Sequence, residues 1–195
     1  MSAAVFLAEG TEEMEFTITY DVLVRGGVTV TSVYVPGKGE SDAPADGVIR
    51  ASRGVKIAPD TTLAALVSEG RLDSFDAYVV PGGAGGANTI STNETVLEQL
   101  RRAHAANKVV ATVCAGSLAA LHADIGRGGA LTSHPSVADK LRGDYDYREE
   151  PVAVAGKLVS SRGPGTSFSF ALTILELLKG ADVRAQVAAP MILHL

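Results

Sequence analysis

The chain has no tryptophan, a single cysteine and only 5% aromatic residues among its 195 positions. The lone Cys114 cannot close an internal disulfide, which fits a reducing compartment. Basic residues are in the minority, 17 Lys and Arg against 22 Asp and Glu for a formal charge of −5. They form no cluster, so a surface that grips nucleic-acid phosphates is not expected. The four histidines, His104, His122, His134 and His194, are scattered without zinc-ligand spacing, and no metal site is expected. Long apolar runs are missing too. Ala3 to Ala8 has no basic segment before it and meets Glu9, Glu12 and Glu13 at once, unlike a signal peptide. Val109 to Leu121 falls short of the ~20 residues that span a bilayer. These absences predict a soluble protein of the cytoplasm, with the nucleus also open to it, touching neither membrane nor nucleic acid.

What is present is ordinary for a globular chain: 46% apolar and 20% charged residues. At roughly 150 residues per domain the length gives a single domain, residues 1–195, which needs no disulfide or metal staple. Short β-branched runs bounded by Gly, Pro and Asp predict buried strands at Ala3–Ala8, Val28–Val35, Ala77–Val80 and Lys108–Val113. Three-to-four spacing predicts a first helix through Met14, Ile18, Val22 and Leu23, closed by Gly26-Gly27. A second helix carries Leu63, Leu66 and Val67 behind an Asp60 cap, and a third carries Val96, Leu97 and Leu100 behind Asn93. Pro36 to Gly47 reads as a long loop, Val152–Val154 with Leu158–Ser161 as a hairpin, and Ser167–Leu178 and Ala181–Ala188 as closing helices. Alternating strands and helices of this kind predict an α/β sandwich, mostly parallel, with helices on both faces.

The most informative segment is Lys108 to Leu121. A buried strand runs into Cys114, and Ala115, Gly116 and Ser117 follow before a helical pattern takes over. Such an elbow lifts one side chain at the carboxyl edge of the sheet, and the helix-start N–H groups favour a thiolate and can bind an oxyanion. The plainer alternative is a small, inert core cysteine. Gly82-Gly83, after another strand, could supply an oxyanion N–H beside Cys114 or simply make a tight turn. Glu12, Glu13 and Glu15 follow the first strand at the same edge. Acids at a helix start commonly complement its dipole in solvent, yet Glu15 can point inward while its neighbours point out, and a desolvated carboxyl there would hold a raised pKa. His134, in Thr132-Ser-His-Pro135, could exchange a proton with the cysteine or be an ordinary surface or cap residue.

With these segments in place, the chain resembles the DJ-1/PfpI superfamily, and its DJ-1 branch in particular. The resemblance rests on Glu9-Gly-Thr-Glu-Glu-Met-Glu15, Ser52-Arg-Gly-Val-Lys-Ile-Ala-Pro-Asp60, Val80-Pro-Gly-Gly83, Thr112-Val-Cys-Ala-Gly116, Thr132-Ser-His-Pro135 and Ser161-Arg-Gly-Pro-Gly-Thr-Ser-Phe168, in that order. It implies a flavodoxin-like three-layer sandwich, usually a homodimer. It also implies one pocket holding a nucleophilic Cys114 with Glu15 and His134, and oxyanion N–H groups from Gly83 and Ala115. Arg25 and Arg53 match arginines near that pocket at the dimer contact.

The branch is described as glutathione-independent glyoxalases, which turn methylglyoxal and water into lactate. Its members are also described as deglycases, oxidative-stress sensors and chaperones. A cysteine thiolate adding to a small 2-oxoaldehyde, with proton transfer through an enediol to a lactoyl thioester, needs no cofactor and fits the residues present. Ala115 replaces the histidine that follows the nucleophile in peptidase-like relatives. No acidic partner follows His134, and Ala51 and Ala58 stand where animal members carry further cysteines. The Pro36–Gly47 loop is longer than in the animal protein.

Overall fold

The computed structural model describes residues 1–193; His194 lies outside them. The chain opens with β1 (Ser2–Leu7), α1 (Glu13–Arg25) and β2 (Thr29–Tyr34). Three short strands follow, β3 (Ile49–Arg50), β4 (Lys56–Ile57) and β5 (Thr61–Thr62), then α2 (Leu63–Ser68). Next come β6 (Ala77–Val80), α3 (Ala84–Ser91), α4 (Glu94–Ala105), β7 (Val109–Val113) and α5 (Leu118–His122). The last part holds β8 (Ala130–Leu131), α6 (Ala138–Leu141), β9 (Asp146–Tyr147), β10 (Val152–Ala155), β11 (Leu158–Ser161), α7 (Ser167–Lys179) and α8 (Ala181–Ala188). Pro36 to Gly47 carries no strand or helix.

The main sheet has seven strands in the order β10-β11-β7-β6-β1-β2-β5, parallel throughout except for the β10–β11 hairpin. Two small sheets, β3–β4 and β8–β9, sit outside it. The strand order turns back between β1 and β6, because β2 and β5 lie to one side of β1 while β6, β7 and β11 build outward on the other. In open α/β sheets ligands bind at such a reversal, beyond the carboxyl ends of the strands.

Each face of the sheet buries its own core. Phe6, Tyr78, Leu100, Leu131 and Leu158 pack on one face, and Val5, Leu23, Phe170, Ile174 and Leu175 on the other. Both faces being covered explains why β1, β6 and β7 read as continuous apolar runs. This is the flavodoxin-like α/β sandwich expected from the alternation of elements.

Two local expectations change. The α2 cap is Thr62, whose side chain accepts the N–H of Ala65 at 3.1 Å. Asp60 turns instead toward β2, where its carboxylate accepts from both the N–H and the hydroxyl of Ser32 at 2.8 Å. The intervening Thr61–Thr62 pairs with β2 as an edge strand, so the helix starts two residues later than an Asp60 cap would place it. On α1 the buried face is Glu15, Phe16, Thr19, Val22 and Leu23, while Met14 is 51% exposed. The helix is therefore rotated from the Met14–Ile18 phase, and that rotation turns Glu15 inward.

Candidate active site

Three strand ends meet at the reversal. The loop after β1 leads into α1 and brings Glu12 and Glu15; the loop after β6 brings Gly82 and Gly83; β7 ends on Cys114. A cleft of about 390 Å³ opens there, bordered by Glu12, Arg53, Gly83, Cys114, Ala115 and His134. That size suits a small molecule.

Cys114 has φ +60, a left-handed conformation that a residue with a Cβ adopts at a cost of about 1–3 kcal/mol. The surroundings hold it there. Gly116 lies so close to β6 that a Cβ on it would stand 2.6 Å from the carbonyl oxygens of Val80 and Pro81. The Ser117 hydroxyl donates to the Thr132 carbonyl at 3.0 Å, and the Thr112 hydroxyl lies 3.2 Å from it. The His134 N–H donates to the Cys114 carbonyl at 3.3 Å. Elbow and His134 loop are thus tied together, although the two residues are twenty positions apart.

Glu15 is fully buried. Its Oε2 accepts the Gly82 N–H at 2.6 Å, while its Oε1 has no hydrogen-bond partner. Burial first, and then the nearby Glu12 charge, push its pKa up from 4.5 to about 7, against the Gly82 N–H, which favours the carboxylate. Near neutral pH this carboxyl both holds and releases a proton.

The Cys114 sulfur and that carboxyl are neighbours, since a Cβ on Gly82 would stand 3.0 Å from the one and 2.6 Å from Oε2 of the other. Burial, followed by the charge of Glu15, pushes the thiol up to about 12, while the nearby N–H groups of Ala115 and Gly83 work the other way. This corrects the expectation of an elbow that holds the thiolate by itself. With Glu15 ionised the thiol keeps its proton. Once Glu15 takes up a proton the repulsion is gone, and two N–H dipoles remain to support the sulfur's charge.

Gly83 has φ +87, and a Cβ on it would stand 2.2 Å from the Gly10 carbonyl. Only glycine can present that N–H to the sulfur. A Cβ on Gly82 would lie 2.6 Å from both Cys114 Cβ and Glu15 Oε2, so the acid and the thiol meet over bare backbone.

The other acids do not simply face solvent. Glu12, 8% exposed, caps α1 by accepting the Glu15 N–H at 2.8 Å. Glu13, equally buried, accepts from the Ser52 hydroxyl at 2.7 Å and the Arg53 N–H at 2.8 Å. Burial works against its charge, but these bonds hold its carboxyl below the usual range.

His134 borders the cleft, with Nδ1 2.8 Å from the Ser136 hydroxyl. Its loop is anchored by Tyr147, whose hydroxyl donates to the Ser133 carbonyl at 3.2 Å. His104 and His122 lie on α4 and α5. Arg53 reaches the cleft, whereas Arg25 sits about 15 Å along α1 from Glu15, paired with Asp21 at 2.6 Å. Within the chain Arg25 is therefore not brought to Cys114.

The sequence reading did not single out Ser136, Tyr147 or Gly163. A Cβ on Gly163 would lie 3.9 Å from both Glu15 Oε1 and His134 Cδ2, so this glycine faces the gap between acid and imidazole. Ser136 carries a local signal, its offset of two from a histidine before a helix start. Tyr147 carries none, because it reaches the loop only through β8–β9 pairing.

Among the described residues no group of three or more His, Cys, Asp or Glu side chains could hold a metal ion, and no helix is long and apolar enough to cross a membrane.

The arrangement can move a proton between sulfur and carboxyl, and it can steady an oxyanion. Comparisons with known proteins find relatives along nearly the whole chain. The Parkinson disease protein 7 homolog of Danio rerio is 42% identical over 193 residues, covering 98% of this chain and 96% of the relative. The glutathione-independent glyoxalase DJ-1 of Schizosaccharomyces pombe is 31% identical over 185 residues, 93% of each. The crystal structure of Drosophila melanogaster DJ-1beta superposes with a TM-score of 0.87 at 37% identity, covering 100% of this chain and 98% of that one. The family's own sequence profile matches residues 1–177, from β1 through most of α7. On sequence and fold alike, the chain belongs to the DJ-1/PfpI family.

Proposed function

We propose that this protein is a glutathione-independent, cofactor-independent glyoxalase that converts methylglyoxal and related small 2-oxoaldehydes into 2-hydroxy acids. One observation carries the reading. Glu15, with a pKa near 7, meets a cysteine thiol at an elbow where two N–H groups lie near the sulfur. The glyoxalase name borne by the yeast relative supports it.

In this scheme the sulfur bonds to the aldehyde carbon as its proton passes to the Glu15 carboxylate, so that no thiolate stands beside an ionised Glu15. The carbonyl electron pair moves to oxygen, where the N–H groups of Gly83 and Ala115 receive it, and Glu15 hands its proton to that oxygen to complete a hemithioacetal. The Glu15 carboxylate then takes the proton from that carbon and delivers it to the neighbouring carbonyl oxygen, which His134 polarises with a hydrogen bond, giving an enediol. A proton returns to the second carbon and one leaves the first carbon's oxygen, so that a lactoyl thioester remains on sulfur. Water adds to it and expels the thiol. The sum is methylglyoxal plus water to lactate, in the lyase class named for D-lactate dehydratase. Each positioned proton transfer is worth roughly 10²–10⁴-fold.

The same nucleophile would serve a deglycase. A redox-sensing or chaperone role has less support, since no second cysteine is present to resolve an oxidised Cys114. We read the protein as a cytoplasmic homodimer. Lactate release from methylglyoxal tests the activity. Wild type should turn over, and Cys114→Ala should not; equal rates would end the proposal.

A further inference from the structure

Among the bonds at the cleft, those made by Ser136 are not used in the scheme above. Its backbone N–H donates to His134 Nδ1 at 3.2 Å, and its hydroxyl lies 2.8 Å from the same nitrogen. A backbone N–H can only donate, so Nδ1 must offer its lone pair, and the hydroxyl donates to it as well. In the neutral ring the proton is then on Nε2. The opposite flank of the ring faces the gap beside Gly163. Cδ2, next to Nε2, lies 3.9 Å from where a Gly163 Cβ would stand, and that point is equally 3.9 Å from the unpartnered Glu15 Oε1. The ring therefore turns its Cδ2 flank, next to Nε2, toward the acid and the gap, with Nδ1 on its other side.

We propose that Ser136 is a positioning residue that fixes His134 as an Nε2–H donor facing the cleft. It fills the place that an acidic residue takes in a Cys-His-acid triad, with the opposite consequence. A carboxylate behind Nδ1 would accept its proton and leave Nε2 free to act as a base. A hydroxyl and an N–H behind Nδ1 leave Nε2 as a donor. His134 thus supplies a hydrogen bond to a substrate carbonyl oxygen and does not collect the thiol proton, which leaves Glu15 as the acceptor for Cys114. The catalytic consequence rests on the glyoxalase reading; the assignment of the ring does not.

The test uses the full chain with ¹⁵N-labelled histidine. Nuclear magnetic resonance at a pH where His134 is neutral should show the proton on Nε2 in wild type. In Ser136→Ala the backbone N–H still donates to Nδ1, so the Nε2–H form should stay the major one, but loss of the hydroxyl donor should shift the Nδ1 resonance and raise the share of the other tautomer, and kcat/KM for methylglyoxal should fall about three- to tenfold, the scale of one neutral hydrogen bond, while Ser136→Thr restores both. Because Ser136 acts through His134, Ser136→Ala should cost nothing further in a His134→Ala background. A wild-type proton on Nδ1, an unchanged spectrum in Ser136→Ala, or fully additive losses would overturn the assignment. If wild type turns over no aldehyde, the glyoxalase reading fails, and the two spectra alone uphold or overturn the role of Ser136.

Discussion

Glu15 reaches from the first turn of α1 to accept the N–H of Gly82 at 2.6 Å, joining the helix that follows β1 to the loop that follows β6. The bond runs both ways across the reversal, because the Gly82 carbonyl accepts the N–H of Glu12 at 3.0 Å. One peptide neighbourhood thus sets both the cap of α1 and the orientation of the buried acid. Glu15→Gln keeps an oxygen for the Gly82 N–H but removes the proton exchange. Lactate formation is expected to fall roughly 10²–10⁴-fold with the fold retained; a variant within tenfold of wild type would remove Glu15 from the chemistry.

The raised pKa of Glu15 also fixes how stability responds to pH. From 4.5 to about 7 the native chain holds a proton that the unfolded chain has released, so stability falls as pH rises through this window. The contribution is fully present below pH 4.5 and lost above about 7, an amount of about 3 kcal/mol from this carboxyl. Urea unfolding from pH 4 to 8 should show Glu15→Gln gaining on wild type across that interval and levelling off beyond it. Parallel curves would contradict the raised pKa.

Two glycines in the site should respond oppositely to a methyl group. In Gly82→Ala the new Cβ would stand 2.6 Å from Cys114 Cβ and Glu15 Oε2, so stability should drop by about 1–3 kcal/mol and activity should be lost. In Gly163→Ala the nearest atoms are 3.9 Å away and the backbone is extended, so the melting temperature should hold. That methyl occupies the gap between Glu15 and His134, and turnover of phenylglyoxal should fall further than turnover of methylglyoxal. Equal losses on both substrates would show that the gap does not discriminate by size.

The cap of α2 offers a simpler check. Thr62→Ala removes the acceptor for the Ala65 N–H and should cost about 1 kcal/mol in thermal or urea unfolding. No measurable loss would mean that α2 is held by Leu63 and Leu66 alone.

Much of this was legible in the sequence because the deciding signals are local. Ala77–Val80 was expected as a strand with the limits it has, and β1, β2 and β7 differ by a residue or two, since strands covered on both faces write themselves as unbroken apolar runs. The Cys114 elbow was equally readable from the small residues after it. The unread parts depend on distant partners. Two-residue strands such as β4 and β9 exist only by pairing and leave no periodicity. Helix α3 was hidden inside a glycine-rich stretch; Gly86, pressed against Thr11, trades helix propensity for close packing, and Ile90 and Ser91 bury the turn that follows. The thiol's high pKa was unreadable for the same reason. Dipoles at the elbow follow from local sequence, whereas burial and the charge of Glu15 follow from the fold.

The seven-stranded sheet terminates itself at both rims. At one, β5 is only two residues long and is introduced by Pro59 and Asp60; at the other, β10 follows Glu149, Glu150 and Pro151. A short rim, a missing amide donor and clustered acids give a foreign strand little to zip onto. Copies of this chain that meet in a crowded cell therefore find few open backbone groups at either rim from which a fibril-seeding ladder could grow.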